Sequence, residues 1–426
     1  MPGGAGAGRL RPPPRSGPHR ADGLRRCCAG LGGQGRRRAH PREPRRAGRR
    51  LRVPVRRLRP RPGGGHGLLP RPPRPRAALD RRRALRARRV RSARRPAPLG
   101  RPSRPFLPGI PLLRPPGGRL TTRADPSTFT REHYEAHRGV ASPRLCELVV
   151  HSLEVIAQLS HAGLAFRFKG GNSQLILLHE PRRFSIDADI VTTVPREELV
   201  AAVESLAARC ERFHRCEVRP HKTKPWLPMV SFKLYFSSVF PEEEDPFVML
   251  DAVLEPPPYP GVRVPVRCGS LYAAPDSVEA PTVSGLLADK LLCIGPSTLG
   301  IPLGKGKDAH RLKHVFDVAT LSRFDYDLER TLDALRACMR QENRIQKSEW
   351  SLAQVLEDTR TFCSAPLEFP EPPPLDALEP GYLQEIVRGF PDFRSVLFSE
   401  SYPWERFLED CRQVLRLLER IERTQA

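Results

Sequence analysis

The sequence contains no apolar run of about 18 residues, the length that a membrane-spanning helix requires, so no transmembrane helix is predicted. Its arginine-rich N terminus is not followed by the apolar h-region of a secretory signal. The ten cysteines include no C-x-x-C pair, which argues against a zinc site or a disulfide framework and favours reduced thiols. We therefore expect a cytoplasmic protein with no membrane partner.

Lysine is missing from the first 125 residues, although this segment holds 36 of the 72 basic side chains. All 36 are arginine, and with four acids the segment has a net charge of +32. The remaining residues hold 36 basic and 43 acidic side chains, a net charge of −7. The isoelectric point of about 10.5 therefore reflects the N-terminal segment, and the rest of the chain is mildly acidic.

Residues 1–125 are rich in Arg, Pro and Gly and show neither a helical nor a strand period. Such a segment cannot bury enough apolar surface to offset the entropy lost on ordering, so we predict a disordered tail. It could be a nucleic-acid-binding arm, a solvated linker, or an upstream extension outside the working protein. The absence of lysine favours the extension, because it indicates GC-rich coding rather than selection for positive charge.

A glycine turn lies at the centre of the most informative stretch, residues 166–193. Residues 164–168 are predicted to form a strand, and Gly170 and Gly171 let the backbone turn without a Cβ clash. Asn172 or Ser173 is expected to cap a short helix over residues 173–178. The first N–H groups of a helix lack intrahelical partners and favour an anion, so this junction is a predicted phosphate-binding turn.

Two aspartates follow on a second predicted strand, residues 184–191. Side chains alternate across a strand, so Ser185, Asp187 and Asp189 share one face while apolar residues take the other. Two carboxylates beside a phosphate-binding turn can hold Mg²⁺ against a nucleoside triphosphate. The alternative is an ordinary strand with a solvated polar face, and the adjacent glycine turn favours the metal site.

A third carboxylate lies in residues 247–254, which are apolar on both faces, as in a central strand. An acid there is costly unless it is paired or metal-bound, so Asp251 is a candidate general base or ligand of a second metal ion. Lys233, on the predicted strand 229–236, is a candidate for binding the triphosphate or the transition-state charge. The alternative for Lys233 is a solvent-exposed strand lysine.

The pattern divides the chain into a tail (1–125), an α/β core (126–275) and a helical region (276–426). The core includes predicted helices over residues 144–162 and 197–213. Residues 255–265 are interpreted as a proline-rich linker, after which the pattern is helical to the end. The later predicted helices cover residues 283–294, 308–321, 326–340, 351–362 and 404–421.

These motifs resemble the AbiEii/AbiGii-type nucleotidyltransferases, a branch of the polymerase-β-like superfamily found in bacterial toxin–antitoxin and phage-defence systems. The resemblance covers about residues 140–330 and implies a polymerase-β-like core with a mixed sheet. It rests on the Gly170-Gly171 turn, the Asp187-Ala188-Asp189 strand and the later Asp251. Further matching features are Lys233-Leu234, Ala288-Asp289-Lys290-Leu291-Leu292 and Arg311-Leu312-Lys313-His314-Val315-Phe316-Asp317-Val318.

The resemblance implies Mg²⁺-dependent transfer of a nucleotide from an NTP to an acceptor hydroxyl. Asp187, Asp189 and Asp251 would hold two metal ions, and Lys233 would act beside them as a catalytic residue. The implied nucleotide-binding residues are Lys169, Gly170, Gly171, Ser173, Ser185, Asp289 and Lys290. Some relatives modify tRNA ends, which makes RNA an expected acceptor. Toxin relatives are usually encoded with an antitoxin that has a winged-helix DNA-binding part.

Three features depart from the family pattern. Asn172 stands where Thr or Ser is expected after the glycines, His314 replaces the acid expected after the late lysine, and an acidic loop, residues 242–245, lies between Asp189 and Asp251. Two alternative functions stay open. A non-catalytic nucleotide- or RNA-binding protein is disfavoured by the three intact aspartates. A small-molecule nucleotidyltransferase, such as one that modifies an antibiotic, fits the acidic charge of residues 126–426, which repels RNA phosphates.

Overall fold

The computed structural model describes residues 119–219, 226–241, 245–398 and 402–425. The predicted tail lies outside the described residues up to residue 118. Its last residues, however, belong to the fold. Leu120 forms a parallel bridge with Cys210, and Arg123 binds Asp276 with an Nε–Oδ2 distance of 2.8 Å. The folded part therefore begins before residue 126, the predicted boundary.

The described residues form a seven-stranded mixed sheet. Its strands are β1 (Arg167–Lys169), β2 (Asp187–Val191), β3 (Phe213–Arg219), β4 (Met229–Phe236), β5 (Phe247–Val253), β6 (Gly261–Cys268) and β7 (Tyr272–Pro281). Their order across the sheet is β3-β4-β5-β2-β1-β7-β6. β2 runs parallel to β5, and β1 to β7, while the other neighbours are antiparallel. The predicted α/β class with a mixed sheet is confirmed.

The helices alternate with the first strands and then continue after the sheet. Helices α1 (Arg131–His137) and α2 (Pro143–His161) precede β1, α3 (Gly170–Leu178) connects β1 to β2, and α4 (Arg196–Arg209) connects β2 to β3. The later helices are α5 (Val283–Leu292), α6 (Asp308–Leu321), α7 (Leu328–Gln346), α8 (Leu352–Ser364), α9 (Tyr382–Arg394) and α10 (Trp404–Gln425). Within the described ranges, we find no helix with the length and apolar character needed to cross a bilayer.

One face of the sheet is apolar and belongs to a continuous core. Strand residues Phe232, Leu250 and Ile190 are fully buried there. Helix α2 packs across β2, β5 and β7, and α4 packs on β3 and β4. Each fully buried large side chain contributes about 1.5 to 3 kcal/mol through removal from water. The opposite face is left to carry polar side chains.

The strands after β5 correct the sequence interpretation. Residues 255–265 were expected to be a linker, yet β6 begins at Gly261, and β7 continues to Pro281 beyond the predicted core boundary at residue 275. Pro265 is tolerated because β6 is the edge strand, and the pairing register with β7 shifts between Pro265 and Arg267. The helical region therefore begins at α5.

Several element boundaries also differ. β1 covers only Arg167–Lys169, and α3 begins at Gly170, so Asn172 and Ser173 lie inside the helix rather than capping it. The N-cap residue is Lys169, without a side-chain cap. The helix predicted over residues 197–213 ends earlier, because β3 already begins at Phe213. Helix α9 was missed, since Gly389 and Pro391 interrupt its sequence pattern.

Candidate active site

The parallel pairing of β2 with β5 brings the predicted carboxylates together. Asp189 lies directly opposite Asp251, and Asp187 lies opposite Met249. Opposite residues on neighbouring strands share a side of the sheet, so the three aspartates lie on the polar face. Asp187, Asp189 and Asp251 are 1%, 7% and 6% exposed. Two sequence motifs that are distant along the chain thus form one buried acidic group.

The donor set of these aspartates suits a hard divalent cation. Carboxylate oxygens are the ligands that Mg²⁺ prefers, and neighbouring strands are only about 4.8 Å apart, so one ion is within reach of both Asp189 and Asp251. Within the described residues, no three His, Cys, Asp or Glu side chains already converge as a metal cluster.

The Asp189 carboxylate lies among charged neighbours. Burial raises the pKa of the Asp189 carboxyl, and the positive charges of Lys290, Lys169 and Arg183 oppose that shift, whereas Asp289 adds to it. Burial disfavours a carboxylate, and nearby cations favour it. The three cationic side chains therefore offset part of the cost of a negative charge at this position.

The two glycines of the predicted phosphate-binding turn make close contacts with the following strand segment. Gly170 has a φ of +76°, a conformation that glycine adopts readily, and a Cβ on this residue would overlap Asp189 Oδ2. A Cβ on Gly171 would lie 2.7 Å from both Cβ and Oγ of Ser185. The N terminus of α3 therefore lies directly against the acidic group, with room for glycine alone.

Asn172, which departs from the family pattern, has a structural role. Its side-chain amide donates to Ser152 Oγ and to the carbonyl of Asp187, both at 3.0 Å, and its Oδ1 accepts from the N–H of Ser185 at 3.2 Å. These bonds join α2, α3 and the start of β2. Ser173, predicted at the phosphates, is fully buried and donates its hydroxyl proton to the carbonyl of Gly170 at 2.9 Å.

Lys233 lies on the polar face but points along the sheet. It faces Met249 in the pairing of β4 with β5, one position from the Ser231–Asp251 pair on that face. Its ammonium lies 4.2 Å from the ring centroid of Phe247 and 4.0 Å from Glu217 Oε2. Phe247 lies beyond Met249 on the side away from Asp251, so the ammonium is directed away from the aspartates.

Helix α5 supplies the opposite wall of the site. Asp289 Oδ1 lies 3.8 Å from Lys169 Nζ, and both side chains are partly exposed. Lys290 is buried, and its Nζ lies 3.9 Å from Asp317 Oδ2 on α6. Of the two predicted nucleotide-binding residues on α5, Asp289 thus contacts the turn that precedes α3, whereas Lys290 connects the aspartate group to α6.

Arg183 and Asp317 form a buried pair to which the sequence interpretation gave no role. Arg183 lies four residues before Asp187 and binds both carboxylate oxygens of Asp317. A signal was available in the sequence, because Asp317 is an acid within the otherwise apolar stretch of residues 315–319 in α6. Such an acid needs a cationic partner, but its identity depends on the tertiary fold.

His314 is the second residue that departs from the family pattern. It stands where an acid is expected, so the site has no carboxylate at this position. Burial lowers the pKa of His314 well below 6.5, and the charges of Lys290 and Arg183 lower it further. Its Nδ1 is buried and has no hydrogen-bond partner among the described residues. The imidazole is therefore neutral near pH 7.

A family model described as the nucleotidyltransferase AbiEii toxin of type IV toxin–antitoxin systems matches residues 153–410. The chain belongs to the AbiEii family. It is therefore a nucleotidyltransferase of a toxin family, and this membership implies an NTP substrate and an antitoxin partner. The matched range contains Asp187, Asp189 and Asp251.

Solved structures include one that is similar to this AbiEii-family chain. MenT4, a nucleotidyltransferase toxin from Mycobacterium tuberculosis H37Rv, is 15% identical in sequence, with a TM-score of 0.40. The similarity covers 68% of this chain and 99% of MenT4. The search of curated proteins finds no match for the AbiEii-family chain.

Proposed function

We propose that this AbiEii-family enzyme transfers a nucleoside monophosphate from an NTP to an acceptor hydroxyl in an Mg²⁺-dependent reaction. The proposal depends mainly on one observation, the alignment of Asp189 with Asp251, with Asp187 on the same face. Carboxylates that share two metal ions are a recurrent arrangement for in-line displacement at phosphorus. Two Mg²⁺ ions would be held by Asp187, Asp189 and Asp251.

The nucleotide would bind between the N terminus of α3 and helix α5. Backbone N–H groups at a helix N terminus and nearby cations both favour a phosphate group. Lys169 would exchange its contact with Asp289 for a phosphate oxygen, since both side chains are partly exposed. The full nucleotide-binding set we propose is Lys169, Gly170, Gly171, Ser173, Ser185, Asp289 and Lys290.

The chemical roles follow from the charges on the polar face. When bound, Mg²⁺ would polarise the α-phosphate and neutralise the leaving pyrophosphate. Asp251 would accept the proton of the attacking hydroxyl, or share the second ion with Asp189. Lys233 would leave Glu217 and stabilise negative charge on the triphosphate.

The acceptor we propose is RNA, with a tRNA end as the specific candidate. The reaction would take place in the bacterial cytoplasm, and the proposed antitoxin would carry a winged-helix DNA-binding part. A small-molecule acceptor is the competing candidate, because residues 126–426 carry a net negative charge that repels a phosphate backbone. The identity of the labelled product separates the two candidates.

The direct test incubates the full-length protein with Mg²⁺, each of the four α-labelled NTPs and total tRNA. The Asp187→Asn/Asp189→Asn variant should transfer no label, while Glu180→Gln, which changes an exposed acid, should match the wild type. Label on RNA supports the proposed acceptor. Binding of Mg²⁺–NTP without label on RNA would redirect the search to small molecules. Transfer that persists in the double variant, or in EDTA, would overturn the metal-dependent mechanism.

A further inference from the structure

Trp226 is an exposed aromatic side chain directly before a segment whose backbone is hydrogen-bonded to the fold. It is 57% exposed, more than Val140 and Leu375, the other exposed large hydrophobic residues in the described ranges. The next residue, Leu227, is buried, and its carbonyl accepts from Arg196 Nη2 at 3.4 Å. The carbonyl of Pro228 accepts from the N–H of Leu254 at 2.7 Å. The indole is therefore exposed to solvent directly before an anchored segment.

Trp226 lies at the end of the sheet that holds the aspartates. Ser231 on β4 is directly opposite Asp251, and Trp226 is five residues before Ser231. Even a fully extended chain would place their Cα atoms no more than about 17 Å apart. This distance corresponds to a few nucleotides of single-stranded nucleic acid. A nucleic acid chain that reaches the aspartates can therefore also reach the indole of Trp226.

A row of basic side chains along helix α7 ends next to Trp226. Arg336, Arg340 and Arg344 are spaced by four residues, which places them on one side of the helix over about 12 Å, and Lys347 is the C-cap residue that follows the helix. The Lys347 ammonium lies 5.4 Å from the centroid of the Trp226 ring. We call Trp226 and these four residues the α7 track.

The row is anchored beside the strand that carries Asp251. Arg344 Nη2 lies 2.6 Å from Glu255 Oε2, and Gln341 donates to the carbonyl of Pro256 at 3.0 Å. Glu255 is only four residues after Asp251. Arg336 pairs with Asp333 at 3.8 Å, and this pair is exposed and thus readily exchanged for a phosphate.

We propose that the α7 track binds single-stranded nucleic acid, with a base stacked on Trp226 and phosphates along the basic row. Stacking on an aromatic ring combined with cations that follow the backbone is the general way in which proteins bind single strands. A protein interface would instead present a contiguous apolar patch. The inference rests on the proposed function in one respect only: the bound single-stranded nucleic acid is taken to be the acceptor of the nucleoside monophosphate.

The experiment uses the full-length protein and a short single-stranded RNA substituted with 5-iodouridine. After irradiation, mass spectrometry locates the cross-linked residues, so contacts of the arginine-rich residues 1–125 are recorded separately. Cross-links at Trp226 and on the α7 peptides are expected. In Trp226→Ala, the RNA concentration that half-saturates the α7 cross-link should rise roughly tenfold, whereas Trp226→Phe should stay within about threefold.

The charge contribution is tested with Arg336→Gln/Arg340→Gln against Arg412→Gln/Arg423→Gln, which removes two arginines from α10. The first variant should weaken the cross-link at Trp226 and reduce its salt dependence by a slope of about 1.4, as expected for two lost phosphate contacts on a single strand. The α10 variant should match the wild type. Cross-links confined to residues 1–125, or an α7 cross-link unchanged by Trp226→Ala, would overturn the proposal.

Mg²⁺–NTP binding is measured on the same variants to separate this inference from the proposed function. Trp226→Ala should bind Mg²⁺–NTP as the wild type does. Failure of the proposed function would abolish Mg²⁺–NTP binding in the wild type while leaving the RNA cross-link in place.

Discussion

Arg183 binds Asp317 through two parallel contacts, with Nε–Oδ1 and Nη2–Oδ2 distances of 2.6 and 2.5 Å. The side chains of both residues are buried, and Lys290 lies on the same carboxylate. The pair connects the segment before β2 to α6, and it therefore holds the aspartate strand against the helical region. Bidentate arginine–carboxylate contacts fix orientation as well as charge.

Replacing Asp317 with Asn should destabilise the protein by about 3 to 5 kcal/mol, because Arg183 and Lys290 would lose a buried counter-charge. The matched control is Glu180→Gln, which breaks the exposed Arg182–Glu180 pair and should cost no more than about 0.5 kcal/mol. Urea denaturation measures both. Equal effects of the two substitutions would show that the buried pair contributes no more than a surface pair.

Gly170→Ala should lower transferase activity roughly a hundredfold, because the new methyl group would displace the Asp189 carboxylate. Gly163→Ala is a close control: its φ is also +76°, but a Cβ there has no neighbour within 4 Å. Both substitutions carry backbone strain of about 1 to 2 kcal/mol. Steady-state activity and thermal unfolding are measured together. The contact explanation fails if both variants lose activity to the same extent.

Asn172→Ala should cost about 2 to 5 kcal/mol, since it leaves the N–H of Ser185 and the carbonyl of Asp187 buried without their present partner. Ser152→Ala removes only one bond to the same amide and should cost about 1 kcal/mol. Denaturation gives the stabilities, and hydrogen exchange of the β2 amides reports the local effect. Unchanged exchange in Asn172→Ala would contradict a role in fixing β2.

Stability should fall at acidic pH in part because of His151. Burial lowers its pKa to about 4, and its ring stacks on Phe236 at 3.8 Å. Between pH 6.5 and 4 the unfolded chain binds a proton that the folded protein does not, so the free energy of unfolding decreases as the pH falls. The loss attributable to His151 should reach about 3 kcal/mol.

The control for this pH effect is His151→Asn, which retains a donor for the carbonyl of Glu147, the present partner of Nδ1, but does not titrate in this range. Subtracting its stability from that of the wild type at each pH removes the contribution of the carboxylates. A difference that does not change between pH 6.5 and 4 would exclude His151 as a source of acid sensitivity.

The local elements of the site could be predicted because their sequence patterns are local. Strand β4 and helix α6 have the bounds that alternation and helical periodicity indicate. Asp187 and Asp189 share a face, as the period of two requires. Which strand lies beside β2 could not be predicted, because the pairing of β2 with β5 depends on contacts between residues that are distant in sequence. Asp251 was predicted to join Asp189 in the site on two grounds. One was the family resemblance, and the other was the free-energy cost of burying an unpaired acid in an apolar strand.

Strand β6 and helix α9 were not predicted, because their formation depends on tertiary contacts as well as on local sequence patterns. In β6, Val262, Val264 and Val266 alternate as in a half-buried strand, but Pro265 suggested a linker, and only its edge position makes it acceptable. In α9, a Cβ on Gly389 would lie 2.6 Å from the backbone carbon of Asp308, so the glycine that obscures the helix pattern permits close packing on α6. Neither condition is readable from the local sequence.

The contacts of residues 120–124 determine where the chain can be shortened. The buried carboxylate of Glu154 accepts from the N–H groups of Arg123 and Ala124 at 2.8 and 3.4 Å. A fragment that starts at residue 126 would remove both donors and also Leu120, whose N–H donates to the carbonyl of Arg209 at 2.9 Å. A fragment that starts before Leu120 retains these bonds, so the arginine-rich segment should be removed there rather than at the change in composition.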